Sequence, residues 1–132
     1  MKTKIIIFVL FSISLFGCGG GKYLKLNYAQ GVEMSATTGN TMFSRIYGAS
    51  NMFDANLLDR GYKEEFIYSG KIGNIIKIDY QEYYFENSRW YARDKFFKHL
   101  EYDISTNTNI SYQDFKIKII SADGNEVKFI VL

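Results

Sequence analysis

Apolar residues fall at every second position along much of this chain. Phe115, Ile117 and Ile119 alternate with Lys116 and Lys118, and Val127, Phe129 and Val131 alternate with Lys128. A period of two sends successive side chains to opposite faces of an extended chain, so both runs read as strands with an apolar face inward and lysines in water. Asp123-Gly124 between them predicts a hairpin, since Asp-Gly supplies the positive backbone angles of tight hairpin turns. Ile76, Ile78 and Tyr80 repeat the pattern against Lys77, Asp79 and Gln81, after a turn around Gly70 and Gly73 and a strand-like Glu65 to Tyr68. Tyr23 to Tyr28, Val32 to Thr37 and Met42 to Tyr47 read as three shorter strands separated by Gly-containing turns. Gly48 to Arg60 is less regular and reads as a loop or a short helix around Asp54 to Leu58. Phe96 to Ile104, followed by polar Ser105 to Asn109, predicts another strand and turn.

Many short strands joined by polar turns imply an all-β domain, a single antiparallel β-sandwich or small barrel of about seven or eight strands. No repeat, low-complexity tract or interdomain linker interrupts it. Proline is absent, so turns fall to Gly, Asn, Asp and Ser.

The first residues follow a different rule. Basic Met1 to Lys4, apolar Ile5 to Phe16 and small Gly17 form the three parts of a secretory signal, and the apolar part falls short of the ~20 residues that a spanning helix needs. The next residue, Cys18, is the one cysteine of the chain. Leu15-Phe16-Gly17-Cys18 resembles the lipobox of bacterial lipoproteins, with Phe16 where that family usually has a small residue. The resemblance implies a signal peptide over residues 1–17, cleavage before Cys18, and a diacylglycerol and often an N-acyl chain such as palmitate on that cysteine. Residues 18–22 would then be the lipidated Cys with a glycine tether, and residues 23–132 the β domain. Two acyl chains anchor a protein stably where one gives marginal binding. The expected location is a bacterial cell membrane or outer membrane, with the domain outside the cytoplasm; Gly19 in place of Asp favours the outer membrane by the same resemblance. Tyr68 to Asn74, Asp79 to Glu82, Leu100 to Asp103 and the last hairpin are together similar to the carboxy-terminal half of small β-rich bacterial lipoproteins of undetermined function.

Charge adds one exclusion. The formal charge of +2 comes from Lys2 and Lys4; beyond the signal, basic residues equal the 14 acidic ones and interleave with them, as in Lys63-Glu64-Glu65. A nucleic-acid surface needs its cations clustered on one face. With Cys18 acylated, no thiol remains for a disulfide, and the domain depends on burial.

Candidate chemistry is sparse. His99 is the only histidine, which excludes a multi-histidine metal site within one chain, and no Gly-x-Ser-x-Gly elbow accompanies it. Glu64-Glu65 and Glu82 with Glu86 are carboxylates that folding could bring together. Asp103, Ser105, Asn107, Asn109 and Asp114 have calcium-loop spacing, but Thr108 stands where the loop requires Gly, and a polar turn explains the same residues. Neither a metal nor a catalytic residue is therefore assigned, and no cofactor beyond the covalent lipid on Cys18. The density of aromatics is more suggestive. Tyr80, Tyr83, Tyr84, Phe85, Trp90 and Tyr91 crowd one segment, and Tyr, Trp and Arg dominate many interfaces. Tyr83, Tyr84, Trp90 and Tyr91, with Arg89 and Arg93, form the expected partner-binding set; the bland alternative is that these rings complete cross-strand pairs. The reading is a non-catalytic binding or structural lipoprotein of the cell envelope with an envelope protein as partner. The alternatives are an inhibitor of an envelope-attacking enzyme such as lysozyme, and a glycan or peptidoglycan hydrolase using paired acids.

Overall fold

The computed structural model of the protein describes residues 21–132. The expected signal segment and Cys18 lie outside these residues. Ten strands follow in order: β1 (Lys22–Leu26), β2 (Glu33–Thr37), β3 (Thr41–Ser50), β4 (Leu58–Ile72), β5 (Ile75–Glu86), β6 (Arg89–Ala92), β7 (Lys98–Asp103), β8 (Asn109–Tyr112), β9 (Phe115–Ala122) and β10 (Glu126–Val131), with one 3-10 turn at Asp94–Phe96. They form two antiparallel sheets. The long sheet runs β1-β3-β4-β5, and the far edge of β5 is shared: β7 pairs with Ile75 to Tyr80 and β6 with Tyr83 to Glu86. The short sheet runs β2-β10-β9-β8. The architecture is the expected all-β sandwich, open and not closed into a barrel.

Turn chemistry sets the register. Gly73 takes φ 58° between the partners Ile72 and Ile75, as a two-residue loop with Gly at its first position demands. Asn87 and Ser88 both take positive φ, 52° and 60°, between Glu86 and Arg89, the pattern of a type I′ hairpin. Ten strands stand where about seven or eight are expected from the sequence, and the mechanism of the last turn also differs. Gly124 is not among the positive-φ residues; the Asp123 carboxylate instead accepts the Asn125 and Glu126 amides at 2.7 and 2.8 Å and closes the turn around Gly124-Asn125. Of the two readings of the irregular stretch, the loop holds: no helix forms around Asp54 to Leu58. β3 runs on to Ser50, and the side chains of Asn51 and Asp54 accept the amides of Phe53 and Asn56, local bonds that compete with a helix.

The core lies between the sheets and is aromatic. Phe43 stacks on Phe66 at 4.5 Å and meets Phe115 at 5.4 Å and Phe129 at 6.0 Å, while Tyr80 packs on Tyr112 at 4.9 Å. Such pairs contribute about 0.5–1.5 kcal/mol beyond their burial. Ile117, Ile119, Val127, Phe129 and Val131 are buried while Lys116, Lys118 and Lys128 are exposed, as alternation predicts. The β9–β10 pairing shifts by one residue between Lys128 and Phe129, which leaves Ile120, on the exposed face, without a partner on β10. The Tyr68 hydroxyl donates to the Asp123 carbonyl, tying β4 to the turn of the short sheet.

Candidate binding face

Register across the long sheet sorts its inner face into rows. Leu26, Arg45, Glu64 and Glu82 are cross-strand partners in one row, and Arg93 joins it through its amide to the Glu82 carbonyl at 2.8 Å. Two residues further along each strand, Leu24, Tyr47, Tyr62, Tyr84 and Tyr91 form the next row on the same face. The charged row is the border of the sandwich. Asp114, in the turn between β8 and β9, meets Arg45 there, and the aromatic contacts between the sheets lie on its Phe66 side.

The border is a closed network. Glu64 and Glu82 are 3% and 7% exposed. Arg45 Nη2 lies 2.7 Å from Glu64, and its Nη1 lies 2.7 Å from Asp114. Arg93 pairs with Glu82 at the other end. The Tyr80 hydroxyl stands between the acids, 3.2 Å from Glu64 and 3.3 Å from Glu82. With one proton to give, it bonds one carboxylate at a time. Burial pushes the Glu64 carboxyl up against the opposing pull of Arg45 and Tyr80, and burial with the two glutamate charges pushes the Tyr80 phenol up. Hydrogen bonding from Arg45 holds Asp114 below the ordinary carboxylate value. Two facing acids are the raw material of a glycosidase, but each carboxylate here is buried under an arginine.

Beyond the border the tyrosines are only half-buried. The Tyr47 and Tyr62 rings lie 5.6 Å apart and Tyr62 and Tyr84 5.3 Å apart, while Tyr91 is exposed. Arg45 lies over Tyr47 at 5.5 Å and Arg93 over Tyr62 at 5.1 Å, so guanidinium groups flank the row on its core side. The result is a strip of amphipathic rings continued by exposed Leu24 and Leu26.

The outer face carries a groove. Its row is Tyr23, Gly48, Gly61, Phe85 and Trp90. The two glycines have no side chains to fill the space between Tyr23 and Phe85, and a Cβ at Gly61 would stand 2.3 Å from the Tyr47 carbonyl. A groove of ≈ 390 Å³ results, lined by Tyr23, Ile46, Leu57, Leu58, Phe85 and Trp90, with Lys25, Asn51 and Ser88 as polar groups.

The expected partner-binding residues therefore divide. Tyr84, Tyr91, Arg89 and Arg93 belong to the tyrosine face, whereas Tyr83 and Trp90 point to the opposite side. Tyr83 takes Lys63 over its ring at 4.4 Å, and Trp90 packs on Phe85 at 4.9 Å. Tyr47 and Tyr62 lie beyond the reach of sequence reasoning. They come from β3 and β4, and only the register of three strands aligns them with Tyr84.

The remaining candidates resolve into local structure. His99 is the cross-strand partner of Asp79, with Nδ1 2.6 Å from its carboxylate, and the Ser69 hydroxyl donates to the same carboxylate at 2.8 Å. The acid sits between Ser and His, so the hydroxyl faces no base and the order of a catalytic triad is not met. Asp103 accepts the Ser105 amide at 2.9 Å and Asn107 the Asn109 amide at 2.8 Å, while Asp114 is committed to Arg45. These oxygens of the calcium-like spacing serve turns and an ion pair. No protein-family model, curated protein or solved structure matches the chain.

Proposed function

We propose that the protein is a bacterial envelope lipoprotein, lipidated at Cys18, whose β domain is a non-catalytic binding component and whose contact surface is the tyrosine face. One observation carries the binding reading: Tyr47, Tyr62, Tyr84 and Tyr91 stand in register across four strands, beyond the border where the short sheet ends. Large rigid rings with polar tips, flanked by Arg93, have the chemistry of interface hot spots. The lipobox resemblance supplies the anchor. The partner expected from this chemistry is an envelope protein with an apolar patch and acceptors for the phenol hydroxyls. An enzyme inhibitor would use the same face; the burial of Glu64 and Glu82 beneath arginines favours binding over glycan hydrolysis.

The test is site-specific photo-crosslinking in the native envelope. A crosslinker at Tyr84 or Tyr91 should trap one discrete partner, and a crosslinker at Tyr83, on the opposite face, should not. Tyr84→Ala should weaken the complex by roughly 30-fold, the loss of one hot-spot residue of about 2 kcal/mol. Equal trapping from Tyr83 and Tyr84, or none from either tyrosine-face position, would overturn the assignment.

A further inference from the structure

The end of the long sheet that follows the anchor is unusually apolar for a solvent-facing surface. Gly21, the first described residue, is fixed there, its carbonyl accepting both the amide and the hydroxyl of Ser50 at 2.8 and 3.0 Å. Next to Ser50 begins the loop from Asn51 to Leu57, closed by a bond from the Asn51 amide to the Leu57 carbonyl at 2.7 Å. It presents Met52, Phe53 and Leu57 outward, with Phe53 94% exposed. Trp90, also exposed, stands at the same end on the β5–β6 hairpin, in the groove that Asn51 and Leu57 line. Lys22, Arg60 and Arg89 lie in the end row of the sheet with Glu86, Lys25 lines the groove beside Trp90, and Asp59 lies with Arg60 beside Met52 and Phe53.

We infer that this end is a membrane-docking surface, with Phe53 and Met52 entering the headgroup region and Trp90 lying at its level. The inference deepens the lipoprotein reading and rests on it. Cys18 and Gly21 are separated by three residue steps, which reach at most about 11 Å, so a lipid on Cys18 keeps Ser50 and its loop near the headgroups. Exposed aromatics costly in water are favourable at the interface, where Trp and Tyr concentrate. Basic side chains near the surface add attraction to anionic lipid. A docked domain is oriented as well as tethered, and the tyrosine face, one row deeper than Lys22, Arg60 and Arg89, is then presented at a fixed height above the bilayer.

Trp90, the chain's only tryptophan, reports on this directly. The full acylated protein is reconstituted into vesicles of phosphatidylethanolamine and phosphatidylglycerol containing lipids brominated high in the acyl chain. Co-flotation and fatty-acid labelling establish the anchor first. Docking predicts a blue-shifted Trp90 emission that is quenched roughly twofold by the brominated lipid, and loss of most of that quenching in Met52→Ser/Phe53→Ser while flotation is unchanged. A wild type that floats with Trp90 unquenched overturns the docking and leaves the anchor standing. A protein that does not float and takes no label removes the anchor and the docking with it. A blue shift that appears without lipid as protein concentration rises assigns the face to a second copy or another protein and also overturns the proposal.

Discussion

Removing Arg45 should expose how the two buried glutamates are tolerated. In Arg45→Met the Glu64 carboxylate loses partners at 2.7 and 2.8 Å, and at 4% side-chain exposure it cannot regain water. Breaking one side of a buried pair costs about 3–5 kcal/mol. Protonation limits that cost. Neutralising a carboxyl of ordinary value 4.5 at pH 7 takes about 3.4 kcal/mol at 1.36 per pH unit. The exposed Asp114 contact adds less than about 1 kcal/mol. A loss of roughly 3–4 kcal/mol at pH 7 is therefore expected.

The pH dependence has a definite sign. Burial raises Glu64 in the folded state, so the native protein binds its proton more tightly than the unfolded chain. The stability this contributes is fully present below the unfolded value and is lost as pH rises through the folded one. Without Arg45 the rise is larger and the slope steeper, so the cost of Arg45→Met should shrink to about 1 kcal/mol near pH 4.5. Asp103, Asp114 and Asp123 are held below the usual carboxylate value, so the stability they contribute has the opposite sign and is lost as pH falls. Urea unfolding at pH 7 and 4.5, followed by far-ultraviolet circular dichroism, gives both numbers. Arg45→Met/Glu64→Met should recover most of the loss at pH 7, since exchanging a whole buried pair for apolar packing is often neutral. Equal losses at the two pH values, or a double variant no better than the single, would refute the account.

Two further stability predictions follow from packing. Phe129→Ala should cost about 3–5 kcal/mol and Ile117→Ala about 2–5, while exposed Lys128→Ala stays within about 0.5; the reverse order of denaturant midpoints would place the register of the last hairpin off by one. Gly61→Ala should cost about 1–3 kcal/mol because its Cβ meets the Tyr47 carbonyl, whereas Gly124→Ala, with open space around it, should leave the midpoint unchanged.

Alternation makes the last hairpin, the Ile76 to Tyr80 strand and the three amino-terminal strands legible in the amino-acid sequence alone. It misses β6 and β8, strands of four residues too short to show a period of two and whose pairing depends on neighbours. It also misses the extent of β4 and β5, because Glu64 and Glu82 occupy inward positions where the pattern calls for apolar residues. Their compensation comes from elsewhere in the chain, Arg45 on β3 and Arg93 just after β6. The same limit applies to the site. Aromatic density between Tyr80 and Tyr91 is visible in the chain, but period two alone does not say which rings from β3 and β4 extend each face. Glu64 adjoins Glu65 in sequence, yet its spatial partner is Glu82, a consequence of register. Asp123-Gly124 marks the place of the last turn but not its mechanism, because Asp123 closes it by accepting amides and Gly124 needs no positive φ.

The topology of the short sheet also bears on when the domain can form. β2 is the first strand of that sheet, and it pairs only with β10, the last strand of the chain, through partners such as Ser35 and Lys128. Closing so large a loop is slow compared with the neighbouring turns of β3, β4 and β5. A chain emerging from its amino-terminus can assemble that meander while its second layer is still missing. Phe43 and Phe66 then wait in water for Phe115 and Phe129, and the sandwich closes only with the final residues.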